Sequence, residues 1–238
     1  MKYLIGYFLC VCIVLSYLSF TVSVATAEKR SDDYIRDRVV QLVGNKYSCT
    51  GVQIKTNKNK IYILTAAHCR VILSNDTTQA IDEQGNLTDV KLVDLNVSVD
   101  LMLLTPMNKK ALIIAKTTKK HEKIHTITHG ERYPSYRTDG ELLEERSTII
   151  IHVKQSEEPE QYRKCLTAQN MVLEYNPFVD ICSMELTSMV STAHVVPGSS
   201  GGPALNEAGD LIGIVSNTDG VFSGLVPILD IQEFLKDK

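Results

Sequence analysis

Short runs of apolar and β-branched residues recur along most of the chain, separated by turn-forming segments. The runs are RVVQLVG, CTGVQIK, KIYILTAA, VKLVDLNVSV, DLMLLTP, KIHTITHG, STIIIHVK, MVLEY and LIGIVS. Runs of this length between turn signals are typical of β-strands, and residues 57–60 (NKNK) and the pair Asp139-Gly140 are predicted hairpin turns. The pattern therefore predicts an antiparallel all-β fold, either a barrel or a sandwich.

The C-terminal stretch PILDIQEFLKDK follows a helical period instead of a strand period. Ile228, Ile231 and Leu235 fall on one face at this period, and Lys236 lies in the predicted last turn. We therefore expect the chain to end in an α-helix.

A proline- and lysine-containing segment, PMNKKALIIAKTTKK at residues 106–120, interrupts the strand pattern. We therefore predict an N-terminal β-barrel at residues 28–110. Residues 111–238 are predicted to form a C-terminal β-barrel followed by the terminal helix. Two small barrels joined here would meet in a cleft, which is a common place for a binding site.

The first residues have the features of a signal peptide. Lys2 is followed by an uncharged, largely apolar stretch that ends in ATA at Ala25 to Ala27, and such small residues are typical of a cleavage site. We predict that residues 1–27 are a signal peptide and that the mature protein is secreted, to an extracellular or periplasmic space. The alternative is an uncleaved membrane span, because the stretch is long enough to cross a bilayer.

Charge gives no indication of a nucleic-acid partner. The formal net charge is −3 at pH 7. The lysines of residues 109–120 are interrupted by LIIA, so we interpret this segment as a solvated linker.

Cysteine usage agrees with export. Two of the six cysteines lie inside the predicted signal peptide and leave with it. The remaining ones are Cys49, Cys69, Cys165 and Cys182. An even set in an oxidising compartment indicates two disulfides, but four cysteines allow three connectivities, and sequence order does not choose among them.

The segment HEKIH at residues 121–125 matches a zinc-peptidase spacing. On a helix, His121 and His125 would share one face and hold a metal, while Glu122 activated its water. The segment continues into TITHG, however, and this alternating β-branched pattern favours a strand. We therefore expect no metal site, and a zinc peptidase is kept only as a minor alternative.

Three other motifs together supply the parts of a nucleophilic serine site. LTAAHC places His68 just after a strand, VDLMLL places Asp100 at the start of another, and PGSSGGPAL places Ser200 among glycines. A serine hydroxyl needs an imidazole to take its proton, and a carboxylate fixes the tautomer of that imidazole. The backbone N–H groups of Gly198 and Ser200 could then stabilise an oxyanion.

The glycines after the nucleophile suggest close packing. We predict that Gly201 and Gly202 let the backbone of a substrate approach closely.

These motifs, in this order, resemble those of the trypsin-like, chymotrypsin-fold serine peptidases. The resemblance extends from about Arg38 to the terminal helix. It implies two packed six-stranded antiparallel β-barrels, with a triad of His68 and Asp100 from the first barrel and Ser200 from the second. It also implies an acyl-enzyme and an oxyanion hole formed by Gly198 and Ser200.

The same resemblance bears on the cysteines and on the substrate channel. It implies the disulfides Cys49–Cys69 and Cys165–Cys182. LIGIVS at residues 211–216 resembles the strand that lines the channel, whose Ser216 supports the aspartate. This strand would pair with a peptide substrate.

One position departs from the digestive members of the family. They carry an acid just before the nucleophile, which pairs with a new N-terminus after zymogen cleavage, whereas this chain has Ser199. The serine motif is closest to the HtrA-like and glutamyl-endopeptidase-like members. We therefore expect activity on folding, without such an ion pair, and we expect no PDZ domain.

The resemblance places His194, Ser216, Thr218 and Gly220 in the substrate-binding pocket. No carboxylate stands where trypsin carries one, although Asp219 is a neighbour. Specificity for basic side chains is therefore not indicated.

Two functions of different classes remain. The first is a secreted, monomeric serine endopeptidase that acts on polypeptides, needs no cofactor and has no nucleic-acid or, after signal cleavage, membrane partner. The second is a catalytically silent, protease-like binding protein.

Overall fold

The computed structural model describes residues 29–44, 47–130, 133–154, 172–176 and 181–238. The predicted signal peptide, Cys165 and the side chain of Cys182 lie outside these described residues, and so does the predicted Cys165–Cys182 disulfide. Within the described part of the chain, no helix has both the length and the apolar character needed to cross a membrane.

Six antiparallel strands close into the N-terminal barrel, in the order β1-β2-β3-β6-β5-β4. A short helix, α1 (Asp32–Arg36), precedes them, and two 3₁₀-helices, Ala67–Ile72 and Val97–Val99, follow β3 and β5. The strands are β1 (Val39–Val43), β2 (Ser48–Lys55), β3 (Ile61–Thr65), β4 (Thr77–Ile81), β5 (Leu87–Asn96) and β6 (Leu101–Leu104). The predicted turn at residues 57–60 joins β2 to β3, as expected.

The C-terminal sheet has seven strands in the order β13-β12-β11-β7-β8-β10-β9, and β13 also pairs with β10. This pairing closes six strands into a second barrel, and β9 extends it beyond β10. The strands are β7 (Lys123–Gly130), β8 (Tyr133–Lys154), β9 (Val172–Asn176), β10 (Ile181–Ser191), β11 (Pro203–Asn206), β12 (Leu211–Thr218) and β13 (Ser223–Pro227). The predicted terminal helix is α2 (Ile228–Leu235), and it buries Ile228, Ile231 and Leu235 as expected. The predicted fold class is therefore confirmed.

The two barrels share one apolar core in addition to the cores inside each barrel. Its buried residues come from β2, β3 and β6 on one side and from β7, β11 and β12 on the other. The segment between the barrels also packs onto both, because Leu112 bridges to Ile54 and Ile114 bridges to Leu211. Apolar burial across the junction therefore fixes how the barrels face each other.

One predicted turn is wrong. Asp139 and Gly140 lie inside the long strand β8, paired with His125 and Ile124 of β7. The glycine serves a close contact instead of a turn, because a Cβ atom at Gly140 would lie 2.3 Å from the backbone nitrogen of Ala193.

The HEKIH segment is not helical, in agreement with the predicted strand. His121 precedes β7, is exposed, and its Nδ1 lies 2.5 Å from a carboxylate oxygen of Glu141. His125 lies within β7 and is buried. The one-faced helical arrangement that a zinc reading of this segment requires is therefore not formed.

Two histidines of β7 are buried. His125 and His129 are 3% and 7% exposed, and their Nε2 atoms have no hydrogen-bond partner among the described residues. Burial lowers the pKa of each imidazole to about 4, with a smaller contribution from Arg137 at His125 and from Arg36 at His129. Both side chains are therefore neutral in the folded protein near pH 6.

We expect acid to destabilise the protein through these two side chains. An unfolded imidazole has its ordinary pKa of 6.5, so the unfolded chain binds more protons than the folded one between about pH 4 and 6.5. Stability should therefore fall as pH decreases through this window, by up to about 1.4 kcal/mol per pH unit for each histidine. Urea unfolding at several pH values measures this slope.

The variants His125→Asn and His129→Asn should each reduce that slope, because the amide of Asn does not titrate and so binds no proton on unfolding. The matched control is His194→Asn, which changes an exposed histidine with no hydrogen bond or ion pair among the described residues, and it should leave the slope unchanged. An unaltered slope in the two buried variants would contradict the assignment.

Candidate active site

His68 is positioned by the chain turning sharply after β3. It lies in the 3₁₀-helix Ala67–Ile72, next to Cys69, which is fully buried. A disulfide joins Cys69 to Cys49 of β2, the pair that the resemblance implied. The bond anchors the short helix to the barrel and so limits the positions open to the imidazole.

Asp100 lies just before β6, where it ends the 3₁₀-helix Val97–Val99 in the left-handed region, with φ 55° and ψ 45°. It is 8% exposed. One carboxylate oxygen accepts the backbone N–H of His68 at 2.9 Å, and the other lies 2.9 Å from the Nδ1 atom of His68. The hydroxyl of Ser216 donates to that second oxygen at 2.6 Å.

These contacts set the charge of Asp100. Burial by itself would raise the pKa of the carboxyl, but the neighbouring His68 and the hydrogen bonds from His68 and Ser216 outweigh burial and hold the pKa below its ordinary value. The carboxylate therefore stays ionised at neutral pH. A carboxylate facing Nδ1 keeps the proton on that nitrogen, so that Nε2 of a neutral His68 can act as a base.

Ser200 lies in the tight turn that follows Pro197, in the other barrel. Its hydroxyl donates to the backbone carbonyl of Ser216, with 3.4 Å between the oxygens. Ser216 therefore contacts both the predicted nucleophile, through its carbonyl, and the predicted orienting carboxylate, through its hydroxyl. Ser200 and Asp100 therefore both form a hydrogen bond with Ser216 of β12.

Two backbone donors of the turn belong to Gly198 and Ser200. Gly198 has a φ of 94°, a backbone conformation that residues other than glycine rarely adopt. Among the described residues, no acceptor is hydrogen-bonded to the backbone N–H of Gly198 or of Ser200. These are the two groups that the sequence predicted for an oxyanion hole.

Thr50 of β2, which the sequence analysis did not identify, holds this turn from the opposite barrel. Its backbone N–H donates to the carbonyl of Ser200 at 2.8 Å, and its hydroxyl donates to the carbonyl of Gly198 at 2.8 Å. The hydroxyl also accepts the backbone N–H of His129 at 2.9 Å. A buried threonine gives no separate sequence signal, because such residues are common in strands.

The two glycines after Ser200, Gly201 and Gly202, lie where the two barrels pack closely. A Cβ atom at Gly201 would lie 1.9 Å from the hydroxyl of Thr65 and 2.2 Å from the carbonyl of Thr50. A Cβ atom at Gly202 would lie 2.4 Å from a methyl group of Thr128. The packing of the protein's own barrels therefore already requires glycine at both positions. The predicted approach of a substrate backbone to Gly201 and Gly202 stays a prediction.

The predicted specificity residues are spread around the turn. His194 is exposed and follows β10, Thr218 is the exposed last residue of β12, and Gly220 lies in the exposed connection between β12 and β13. The Thr218 hydroxyl donates to the carbonyl of Phe222 at 2.9 Å and accepts the N–H of Gly220 at 3.0 Å. Their contacts are thus within the connection, and their role in substrate binding stays a prediction.

Asp219 is also engaged within this connection. Its carboxylate accepts the backbone N–H groups of Val221 and Phe222 at 2.8 and 2.7 Å, and these bonds lower its pKa. Both bonds go to Oδ1, and Oδ2 accepts no hydrogen bond among the described residues.

A cavity of about 240 Å³ opens beside Asp100. Residues from both barrels line it, including Val99, Asn217 and Arg146. Arg146 lies 3.8 Å from the carboxylate of Asp230, whose pKa is raised by burial. The cavity therefore adjoins the strand that carries Ser216 and has both apolar and charged walls.

Two barrels that bring a histidine–aspartate pair and a serine to their junction define the class of serine-type endopeptidases. Residues 49–214 match the family model described as the trypsin-like peptidase domain. This match covers more than half of the chain, so the chain belongs to the trypsin-like peptidase family. The protein is accordingly a serine-type endopeptidase with polypeptide substrates. No curated protein sequence matches the chain.

Solved structures share the fold at low sequence identity. The active form of the Rv3671c protease from M. tuberculosis is 14% identical, with a TM-score of 0.60 over 85% of this chain and 82% of that one. Its inactive form is also 14% identical, with a TM-score of 0.60 over 86% and 90%. The serine endoprotease from Yersinia pestis is 16% identical, with a TM-score of 0.57 over 87% of this chain and 66% of that one.

We expect Gly201→Ala to destabilise the protein strongly. The substitution combines a left-handed backbone, with φ 84°, and a direct overlap with Thr65 and Thr50. We expect a loss of about 3 kcal/mol or more in the free energy of unfolding, measured by urea denaturation. The matched control is Gly85→Ala, where φ is 82° but no atom lies within 4 Å.

Gly85→Ala should lower the free energy of unfolding by about 1–2 kcal/mol, which is the cost of the left-handed backbone alone. Equal losses in the two variants would show that the contact between the barrels at Gly201 is not tight.

Proposed function

We propose that the mature protein is a secreted endopeptidase that hydrolyses peptide bonds through an acyl-enzyme on Ser200. His68 acts as the general base and Asp100 orients it. The backbone N–H groups of Gly198 and Ser200 form the oxyanion hole. The observation that carries this proposal is the pair of hydrogen bonds by which Asp100 holds His68 at Nδ1 and at the backbone N–H.

In the proposed reaction, acylation of Ser200 precedes hydrolysis of the acyl-enzyme. The Ser200 hydroxyl attacks the scissile carbonyl carbon while Nε2 of His68 takes its proton, and the carbonyl oxygen becomes an oxyanion that accepts hydrogen bonds from Gly198 and Ser200. The C–N bond then breaks as His68 returns the proton to the leaving amine. A water molecule, deprotonated by His68, attacks the acyl carbon. The ester bond to Ser200 then breaks as His68 returns the proton to the Ser200 oxygen, which releases the second product as a carboxylic acid and restores the enzyme.

Asp100 contributes by remaining ionised. Its lowered pKa means that an imidazolium formed on His68 during attack lies beside a full negative charge. The hydroxyl of Ser216 keeps the carboxylate in place. Both effects favour the charged transition state over the neutral ground state.

The edge of β12 offers a place for the acyl half of a peptide. β11 pairs with β12 as far as Ile214, and Val215 exchanges backbone hydrogen bonds with Gly201 and Gly202. Beyond Val215, no described strand pairs with this edge, while the other edge pairs with β13. A substrate added as an antiparallel strand along Ser216 to Thr218 would place its carbonyl near Ser200.

Export is supported by the N-terminal sequence and by the disulfide. The ATA site after the apolar stretch fits signal cleavage after Ala27. A disulfide beside the site, between Cys49 and Cys69, fits an oxidising compartment.

We expect Ser200 to be labelled by a fluorophosphonate probe. The activated hydroxyl should attack the phosphorus centre, and mass spectrometry of the digested protein should locate the adduct on residue 200. Ser200→Ala should abolish labelling and peptide hydrolysis, while Ser74→Ala, which changes an exposed serine, should alter neither. Labelling that persists in Ser200→Ala would contradict the proposal.

We expect Asp100→Asn to reduce kcat by about 10³- to 10⁴-fold, because an amide neither fixes the required tautomer nor stabilises an imidazolium. Steady-state hydrolysis of a chromogenic peptide measures this loss, and KM should change little. The control is Asp37→Asn, because Asp37 pairs with Lys110 at 2.8 Å on the surface and should leave kcat unchanged. A loss of less than tenfold in Asp100→Asn would argue against its orienting role.

A further inference from the structure

Ser199 lies between the two proposed oxyanion donors and is 1% exposed. Its hydroxyl lies 2.5 Å from the hydroxyl of Tyr136, and either of the two can be the donor. It also accepts a hydrogen bond from the Thr128 hydroxyl at 3.1 Å. A residue adjoining the nucleophile is therefore held by two side chains of the second barrel, and all three groups are uncharged.

Tyr136 reaches both ends of the turn. Its hydroxyl oxygen accepts the backbone N–H of Val196 at 3.2 Å, and the same N–H is 3.2 Å from the Ser199 hydroxyl oxygen. The turn is closed by the backbone N–H of Ser199, which donates to the carbonyl of Val196 at 3.0 Å. One phenol hydroxyl thus contacts the residue that begins this turn and the residue that ends it.

The contacts of Tyr136 matter because Gly198, in the middle of the turn, is a glycine whose backbone can adopt other conformations. Gly198 has no Cβ atom to restrict its backbone, and its φ of 94° is only one of the values open to glycine. A rotation of the peptide group before Gly198 would turn its N–H away from the substrate. Thr50 binds the carbonyl of Gly198 at 2.8 Å, which fixes the peptide group after Gly198. With Val196 and Ser199 also held, the peptide group before Gly198 has little freedom to rotate.

Tyr136 is itself supported by the N-terminal helix α1. Arg36 donates to the backbone carbonyl of Ser135 at 2.7 Å, and Arg137 donates to the carboxylate of Asp32 at 2.5 Å. Both residues that flank Tyr136 are therefore bound by α1. Helix α1, near the start of the described chain, therefore contacts the strand that supports the turn immediately before Ser200.

We propose that Tyr136 is a positioning residue for catalysis, which keeps the N–H groups of Gly198 and Ser200 directed at the oxyanion by binding Ser199 and Val196. The inference rests on the proposed function, because it assigns a role within that oxyanion hole. Tyr136 touches neither substrate nor reacting atoms and acts only through the turn.

The test is Tyr136→Phe, which removes one oxygen and keeps the ring. Loss of a direct oxyanion donor costs about 10²- to 10³-fold in kcat, so loss of a group that positions the donors should cost about tenfold or more. KM should stay within about twofold, because binding of the ground state does not depend on the oxyanion hole. The matched control is Tyr62→Phe. The side chain of Tyr62 is half-buried, its hydroxyl has no hydrogen bond among the described residues, and the loss of that hydroxyl should leave kcat unchanged.

A second readout separates positioning from general damage. A peptide aldehyde forms a tetrahedral adduct with an oxyanion on the serine, whereas a product peptide does not. In Tyr136→Phe, inhibition by the aldehyde should weaken by the same factor as kcat, and inhibition by the product peptide should be unchanged. Equal weakening of both inhibitors, or a kcat within twofold of wild type, would overturn the proposal.

Ser199→Ala tests the same contact if Tyr136→Phe does not fold. It should show the same loss of kcat with KM preserved, and an unchanged kcat would overturn the proposal. Where both variants fold, the double variant should lose little more than either single one, because the two hydroxyls act as a unit. Full activity in Ser200→Ala would instead remove the proposed function itself, whatever the result at Tyr136.

Discussion

The geometry of the site depends on Thr50, a buried residue of one barrel that binds a turn of the other. Four of its polar contacts are made at once: its N–H binds the carbonyl of Ser200, its hydroxyl binds Gly198 and His129, and its carbonyl accepts the hydroxyl of Thr65 at 2.7 Å. His68, the proposed base, and Ser200, the proposed nucleophile, come from different barrels, so a small sliding of one barrel would separate them. Buried hydrogen bonds resist such a displacement, because breaking one leaves an unpaired polar group away from water.

Asp100 shows how local strain is retained at such a junction. A left-handed conformation in a residue other than glycine costs on the order of 1–2 kcal/mol, although Asp tolerates it better than most residues. The same conformation directs the carboxylate at the backbone N–H and ring of His68 and at the hydroxyl of Ser216. These bonds hold the backbone where it is, and they also hold the carboxylate in its ionised form. Strain and charge at Asp100 thus serve one requirement, a fixed imidazole.

The parts of the fold that the sequence predicted are those in which apolar residues recur with a strand or helix period. β2, β3 and α2 are examples. The three motifs of the proposed triad could be recognised because each joins a potentially reactive residue to characteristic neighbouring residues. β4 (TTQAI) was not predicted, because its residues are mostly polar and barrel closure determines its pairing. Asp139-Gly140 was misinterpreted because close contact and turning both require glycine. Thr50 and Tyr136 carry no motif, since their roles arise only when the two barrels, or a strand and a distant turn, come together.

Ser199 is buried, and its side chain determines which partners the turn requires. A carboxylate at this nearly inaccessible position would need a buried cation, because an unpaired charge away from water is far more costly than an unpaired hydroxyl. A serine requires only hydrogen-bond partners, and Tyr136, Thr128 and the N–H of Val196 supply them within the folded barrel. The turn can therefore be ordered without a newly formed terminal amine. The bonds from α1 to Ser135 and Arg137 have a related consequence, since residues that precede the first strand then contribute to the order of the turn through packing and polar contacts.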